Sequence, residues 1–488
     1  MLFFIINQTL LWMATEQGNG PGGASMKIIY YNDTLFSFGT LNMSNFSTDY
    51  DVCSISYSMN GTKLWQNCYG GNANSNDHFG DAIIGIDGYI YTTAGVKNLS
   101  SDYDIVVYKH NRANLIPVWS YLYNSSQNRW DESSVIVQDN SGNLYVGGYS
   151  DTIVNNTTSQ KHIVLSLNQN GNLRWIYKNY VGNNWGYSQG VRSIAYVNNA
   201  VYASGTFNSS TIFSLNANNG SLKWYNSQVL PNDNIIYDNG YLYVSGVKWF
   251  AGVPKLTVDK VDTINGSSIW GTIVSDSIAT GSTRITKGTD GYIYFIGCAS
   301  YNNVYQYIIS KIDPQNGQKI FASNYSILNS SCPGSTPVIY GNNGSLYFGG
   351  KRADSLVIYK INSQNGNLIW KWTYPQSMVY SIVYVNSNPP KICGSGYLGN
   401  NFLTFCIQDN STQILEKSNL IIKDNKIIVK LSGVSKNNLK IALYSVDGRK
   451  IYESSFEIKN GEVSLNKPDR RGIYIIKIES IGSMRVIF

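Results

Sequence analysis

Glutamate is nearly missing from most of this 488-residue chain: between residues 17 and 415, Glu132 is the only one. A glycosidase built on paired carboxylates would have to use aspartates there. The one local acidic pair, Asp131-Glu132 in NRWDESS, consists of neighbours that point to opposite faces of a strand and so do not converge. There is no Cys-x-x-Cys, and His78, His110 and His162 are not spaced as metal ligands. Gly-x-Ser-x-Gly and a Walker loop are also missing. IDGY (86–89) and TDGY (289–292) lack the run of oxygen ligands that a calcium loop needs, and read as turns. No Lys or Arg precedes Lys27, so MLFFIINQTLLW lacks the basic start of a secretory signal, and it is too short for a membrane span. Together these absences point away from an enzyme and imply no metal and no cofactor.

Charge is scarce and unevenly placed. Residues 417–488 hold 14 Lys or Arg against 7 Asp or Glu, which leaves 23 of each sign in residues 1–416. The large N-terminal part is therefore neutral, a basic groove for nucleic acid is not expected, and the charge step marks a domain boundary. What is abundant instead is Tyr, Asn, Ser, Thr and Gly, a mixture suited to strands joined by tight turns, so the chain is expected to be all-β.

The six cysteines fall in neighbouring pairs around turns. Cys53 and Cys68 are symmetric about Asn60-Gly61, Cys393 and Cys406 about Gly399-Asn400, and Cys298 and Cys332 flank DPQNG (313–317). Three hairpin-spanning disulfides are expected, which implies an oxidising location, extracellular or at the cell surface; six buried thiols are the alternative.

Two signatures repeat along the chain. One is a short strand with an aromatic residue followed by Gly three positions on: Phe36/Gly39, Tyr145/Gly148, Tyr202/Gly205, Tyr243/Gly246, Tyr294/Gly297 and Tyr347/Gly350. Tyr91 with Ala94-Gly95 and Cys393 with Gly396 are variants, making eight copies about fifty residues apart. The other is a hairpin with Asn-Gly and a Trp five residues after the Asn. It reads NGTKLW (60–65), NGNLRW (170–175), NGSLKW (219–224), NGSSIW (265–270), NGQKIF (316–321, with Phe) and NGNLIW (365–370). NLIPVW (114–119) keeps Asn and Trp but loses the Gly. The turn needs positive φ, which Asn and Gly supply, and the fixed offset puts one ring on the same face of each repeat, a register that favours packing between repeats over sugar stacking. Four strands repeated eight times read as an eight-bladed β-propeller over residues 26–416.

These NG…W hairpins resemble the repeats of the pyrroloquinoline-quinone-type propeller superfamily. The resemblance covers roughly residues 27–415 and implies the fold; that superfamily includes quinoprotein dehydrogenases and non-catalytic scaffolds of the cell envelope, and no cofactor-binding residues carry over. From residue 417 the pattern changes to alternating strands, with Asp447-Gly448 at the turn of LYSVDGRKIYE, and a small C-terminal β-sandwich is expected over 417–488. Residues 443–453 and 472–478 resemble the C-terminal sorting domain of type IX secretion cargo, which implies export.

Asn-x-Ser/Thr sequons occur at Asn7, Asn32, Asn42, Asn45, Asn60, Asn98, Asn124, Asn155, Asn156, Asn208, Asn219, Asn265, Asn324, Asn329, Asn343 and Asn410, and none lies beyond. They predict covalent N-linked glycans on the propeller and a bare C-terminal domain. At the N-terminus, Asn7 to Trp12 repeats the five-residue offset of the blade hairpins, so INQTLLW reads as a further copy of the repeat rather than a signal. It and residues 406–416 compete to finish the eighth blade. If 406–416 does so, the apolar segment 1–25, with Leu2, Phe4, Ile6, Leu10 and Trp12 and the tether GNGPGGAS, is left to add to a sheet edge of a neighbouring subunit. The resulting expectation is a secreted, glycosylated, non-catalytic structural protein that polymerises into a filament or coat by that strand addition. The alternative is a monomeric secreted propeller enzyme or carbohydrate-binding protein whose N-terminus closes its own ring.

Overall fold

A computed structural model describes residues 8–409, except 45–48, 74, 101, 126–128, 155–156, 181–189, 206–210, 228–233, 328–331 and 333–335, together with seven strands between residues 420 and 487. Every regular element among them is a β-strand. Eight four-stranded antiparallel sheets make an eight-bladed propeller, each inner strand lying against that of the next blade. Blade 1 is Gly23–Tyr31, Thr34–Asn42, Tyr50–Ser58 and Lys63–Tyr69; blade 2 is His78–Ile84, Ile90–Lys97, Tyr103–His110 and Pro117–Tyr123. Blades 3 to 7 begin at Asp131, Val191, Asn234, Ile278 and Val338.

Blade 8 settles the competition between the two candidate segments. Its inner three strands are Ser377–Val385, Lys391–Leu398 and Asn401–Gln408, and its outermost is Thr9–Glu16. Strand addition by this segment is therefore within its own ring, which corrects the expectation that Leu10 and Trp12 serve a neighbouring subunit. Leu2, Phe4 and Ile6 lie outside the described residues, as do residues 410–416. The physical reason is packing: Trp12 Nε1 donates to Met59 O at 3.1 Å, and a Cβ on Gly61 would fall 2.6 Å from Trp12 Cγ, so the ring rests on the NG turn of blade 1.

The same contact recurs around the propeller. Trp119 lies on Gly171, Trp175 on Gly220, Trp224 on Gly266, Trp270 on Gly317 and Phe321 on Gly366, each glycine at φ between +71° and +84°. Glycine is required twice over, by the left-handed backbone and by the ring that occupies the space of a Cβ. A second tie runs beside it. The tyrosine of the aromatic/Gly strand sets its hydroxyl against the turn of the next blade: Tyr202 and Tyr243 donate to Thr263 O and Pro314 O at 3.4 and 3.2 Å, and the hydroxyls of Tyr145 and Tyr294 lie 3.4 and 2.9 Å from Ala217 O and Ser363 O, their one proton shared with Asp139 and Asp290. Near the axis, side chains of one blade accept from the free backbone N–H groups of the next, Asp81 from Ile136, Ser193 from Ile235, Asn234 from Ile285 and Ser381 from Ile28. These bonds satisfy donors that an inner edge strand would otherwise leave unpaired.

All three expected disulfides form. Cys53–Cys68 joins directly opposed residues of adjacent strands, Cys393–Cys406 joins neighbouring strands of blade 8, and Cys298–Cys332 ties a blade 6 strand to the connection towards blade 7. The C-terminal unit holds a three-stranded sheet, Leu420–Lys423, Lys426–Lys430 and Glu462–Asn466, and a four-stranded sheet in the order Lys450–Glu457, Asn438–Ser445, Ile473–Ile478, Gly482–Ile487. The strands of the expected hairpin pair, with Tyr444 opposite Lys450, and its turn at Asp447-Gly448 lies outside the described residues.

Candidate functional site

The propeller has two ends with different chemistry. At one end lie the NG turns and the turns between the first two strands of each blade. The aspartates of IDGY and TDGY sit here, as do Asp139 and Asn343 in equivalent turns. Asp87 accepts from Tyr91 Oη, Gln169 Nε2 and Lys109 Nζ, each at 2.8 Å. Burial pushes its carboxyl up, but these partners outweigh burial and hold it below the usual carboxylate range. Asp290 repeats the arrangement with Tyr294 and Lys311 at 2.6 and 2.8 Å. These motifs are capped turns that fasten strands, and the sequence gives only their turn character.

The opposite end carries a cluster of ionisable groups on blades 1 to 3. His78 of blade 2 pairs with Glu132 of blade 3 at 2.9 Å, and its ring stacks on Tyr103 with centroids 4.5 Å apart. The hydrogen bond to Glu132 raises the imidazole above its ordinary value. Asp131 turns the other way, is fully buried, and accepts from Ser125 N at 2.6 Å; burial pushes it up to about 6. The two acidic neighbours thus do not converge, as alternation along a strand requires. A Cβ on Gly70 would collide with both Asp51 Oδ1 and Asp77 Oδ2, so these two carboxyls share one small space. Burial, then like charge, pushes Asp51 up to about 6, and burial does the same to Asp77 against hydrogen bonds from Lys97 N and Gly71 N. Sequence separation hid this cluster: His78 and Glu132 are 54 residues apart, and only the blade period brings them together.

The sequons divide by what their side chains do. Asn32, Asn60, Asn219 and Asn265 stand exposed at hairpin turns, and Asn124 and Asn324 are exposed as well. Asn98 and Asn343 use their amides to hold Asp104 and Tyr347, at 3.1 and 2.7 Å. Asn42 is a correction to the sequence reading: it is buried, with Nδ2 donating to Pro21 O at 3.0 Å and Oδ1 accepting from Ser44 N and Asp49 N, so its nitrogen is not free to carry a glycan. Asn7, Asn45, Asn155, Asn156, Asn208, Asn329 and Asn410 lie outside the described residues.

Blades 5 and 6 expose a feature that the repeat pattern does not contain. Their second and third strands end in hairpin tips, Trp249-Phe250-Ala251-Gly252-Val253 and Tyr301-Asn302-Asn303-Val304-Tyr305, on adjacent blades at the end that carries the His78 cluster. Trp249 is 66% and Tyr301 60% exposed, and Phe250, Val253, Val304 and Tyr305 are exposed beside them.

No family model and no curated protein sequence matches the chain. Solved structures do resemble it. A quinohemoprotein alcohol dehydrogenase from Pseudomonas putida has a TM-score of 0.57 at 11% identity, covering 87% of this chain and 79% of that one. A quinohemoprotein alcohol dehydrogenase from Comamonas testosteroni has 0.55 at 9%, covering 86% and 79%. Saccharomyces cerevisiae Sqt1 has 0.54 at 10%, covering 81% and 98%. At such identities the likeness is one of fold. Among the described residues no group of three or more His, Cys, Asp or Glu side chains is placed to hold a metal ion. The inner-strand lysines Lys27 and Lys287 are already bound by Asp81 and Asp238 of neighbouring blades.

Proposed function

We propose that the chain is an exported scaffold of the extracellular space or cell surface, N-glycosylated at its turn tips, which assembles with further copies of itself into a filament or coat and performs no chemistry. The observation that carries the reading is the aromatic surface on blades 5 and 6. Two adjacent hairpin tips that present Trp249, Phe250, Tyr301 and Tyr305 to solvent have the composition of a protein contact core. Export is supported by the three disulfides, which suit an oxidising compartment, and by the likeness of residues 443–453 to a sorting domain. A scaffold role is supported by how the conspicuous residues are spent: tryptophans on glycines, aspartates on lysines and tyrosines on carbonyls all fasten one strand or blade to the next. Assembly here leaves Thr9–Glu16 in its own ring.

The test is the mass of the full chain from a secreting host, by light scattering after size exclusion, with electron microscopy of the product. Multimers that the double variant Trp249→Ser/Tyr301→Ser converts to folded monomers are expected. A wild-type chain that is monomeric at micromolar concentration and above would overturn the reading.

A further inference from the structure

The repeats supply internal controls, and one seam departs from them. In blades 4 to 7 the turn between the outer two strands has the form Asn/Asp-x-x-x-Gly, and blade 2 uses the same turn with Leu115 at the glycine position, at φ +60°. Ala113 N donates to Asn111 Oδ1 just as Asn218 N donates to Asn216 Oδ1, so Arg112 stands where other blades place Ala217, Thr263, Pro314 or Ser363. Those carbonyls face the preceding blade's tyrosine hydroxyl, and in two cases accept from its tryptophan Nε1 as well. Blade 1 offers neither, because its aromatic residue is Phe36, and Trp65 stands 52% exposed.

The seam lacks those two ties, although Asn67 Nδ2 donates to Leu115 O at 3.0 Å and Lys27 pairs with Asp81, and beside them it holds an open crevice of about 420 Å³, lined by Tyr31 of blade 1 and by Ile86, Asp87, Tyr89, Asn111 and Arg112 of blade 2. The Arg112 guanidinium lies over the Tyr31 ring, 4.6 Å from its centroid, and donates from Nη1 to Gly88 O at 3.2 Å. Of the nearby carboxylates, Asp87 is neutralised by Lys109, and Asp33 accepts from Tyr30 Oη. Among the described residues Arg112 has no carboxylate within ion-pair distance, so the crevice carries one uncompensated, oriented fork of N–H donors. We propose that this crevice binds a small acidic sugar, its carboxylate on Arg112, its ring against the phenol of Tyr31 or Tyr89, and its hydroxyls within reach of the Asn111 amide. The guanidinium selects a planar anion, the mostly polar lining suits a hydroxylated ligand, the phenols of Tyr31 and Tyr89, which carry Arg112 and Lys109 over their rings, stand beside it, and the volume falls in the range of about 300–1,000 Å³ usual for small-ligand sites.

The site does not depend on self-assembly. Titration calorimetry of the full chain with digalacturonate should show saturable binding. The dimethyl ester, which removes the charges and adds a methyl group at each carboxyl, and Arg112→Ala should each weaken it about tenfold or more, while Arg112→Lys retains part of it and both variants keep the wild-type melting temperature. Trp249→Ser/Tyr301→Ser should bind as the wild type does. Absence of saturable heat with digalacturonate, affinity unchanged in Arg112→Ala, or equal affinity for the ester or for citrate would each overturn the proposal.

Discussion

The seam between blades 8 and 1 and the seam between blades 1 and 2 use the same parts to opposite ends. In the first, no peptide bond joins the outer strand Thr9–Glu16 to its blade, yet the contact is complete: Trp12 covers Gly61 and Lys63 pairs with Glu16 at 2.8 Å. In the second the chain is continuous, yet Trp65 is left in solvent because Leu115 fills the place of the glycine, buried against Phe36, Phe38, Ala82 and Ile90. Covalent continuity does not decide whether the ring of one blade packs on the turn of the next; the residue beneath the ring does.

The largest effect is expected from breaking the first seam. Removing residues 1–16 takes away the outer strand of blade 8 together with Trp12, and the propeller should lose its cooperative thermal transition in calorimetry. Trp12→Ala alone should cost about 3 kcal/mol. A truncated chain that melts as the wild type does would show that ring closure is dispensable.

A smaller effect should come from copying the second seam onto a normal one. Gly220 has φ +71°, and a Cβ there would lie 2.6 Å from Trp175 Cε3. Gly220→Leu should displace Trp175, shift its fluorescence to longer wavelength and cost about 2–4 kcal/mol. The reverse change, Leu115→Gly, relieves a left-handed leucine worth about 1–2 kcal/mol but empties a buried site worth about 2–5 kcal/mol. It should therefore destabilise slightly, without recovering a Trp65 contact.

The mildest effect concerns pH. Asp51, raised to about 6, holds its proton more tightly in the folded than in the unfolded chain, so its contribution to stability is present below about pH 4 and is lost as pH rises through 6. Asp51→Asn should leave the melting temperature nearly unchanged at pH 4 and raise it at pH 8. His110 works in the other direction. Burial lowers it to about 4, so the folded chain resists its protonation and loses stability as pH falls from 6.5 towards 4. An Asp51→Asn variant less stable at pH 8 would show that the carboxylate has a partner it needs.

What could be read in advance follows from sequence distance. The NG…W offset is local, so the hairpins, their positive-φ glycines and the role of the rings between blades were legible, as were Cys53–Cys68 and Cys393–Cys406 from their symmetry about turns. Trp12 was legible as a blade tryptophan, but the offset does not say whose blade it completes; that depends on Gly61 and Met59, almost fifty residues away. The missing glycine of NLIPVW was visible, as was Phe36 among tyrosines. Their meeting at one seam was not, because a single repeat does not show that residue 36 faces residue 112. Asn42 failed for a related reason, since its sequon is defined by three residues and its burial by Pro21 and Asp49.

The ring closure also has a consequence in time. Gln17 donates from its side chain to Asn401, 384 positions later, and Thr9–Glu16 finds its sheet only when Asn401–Gln408 is in place. During synthesis the segment bearing Leu10, Leu11 and Trp12 is made long before the strand it pairs with, so its docking waits for Asn401–Gln408.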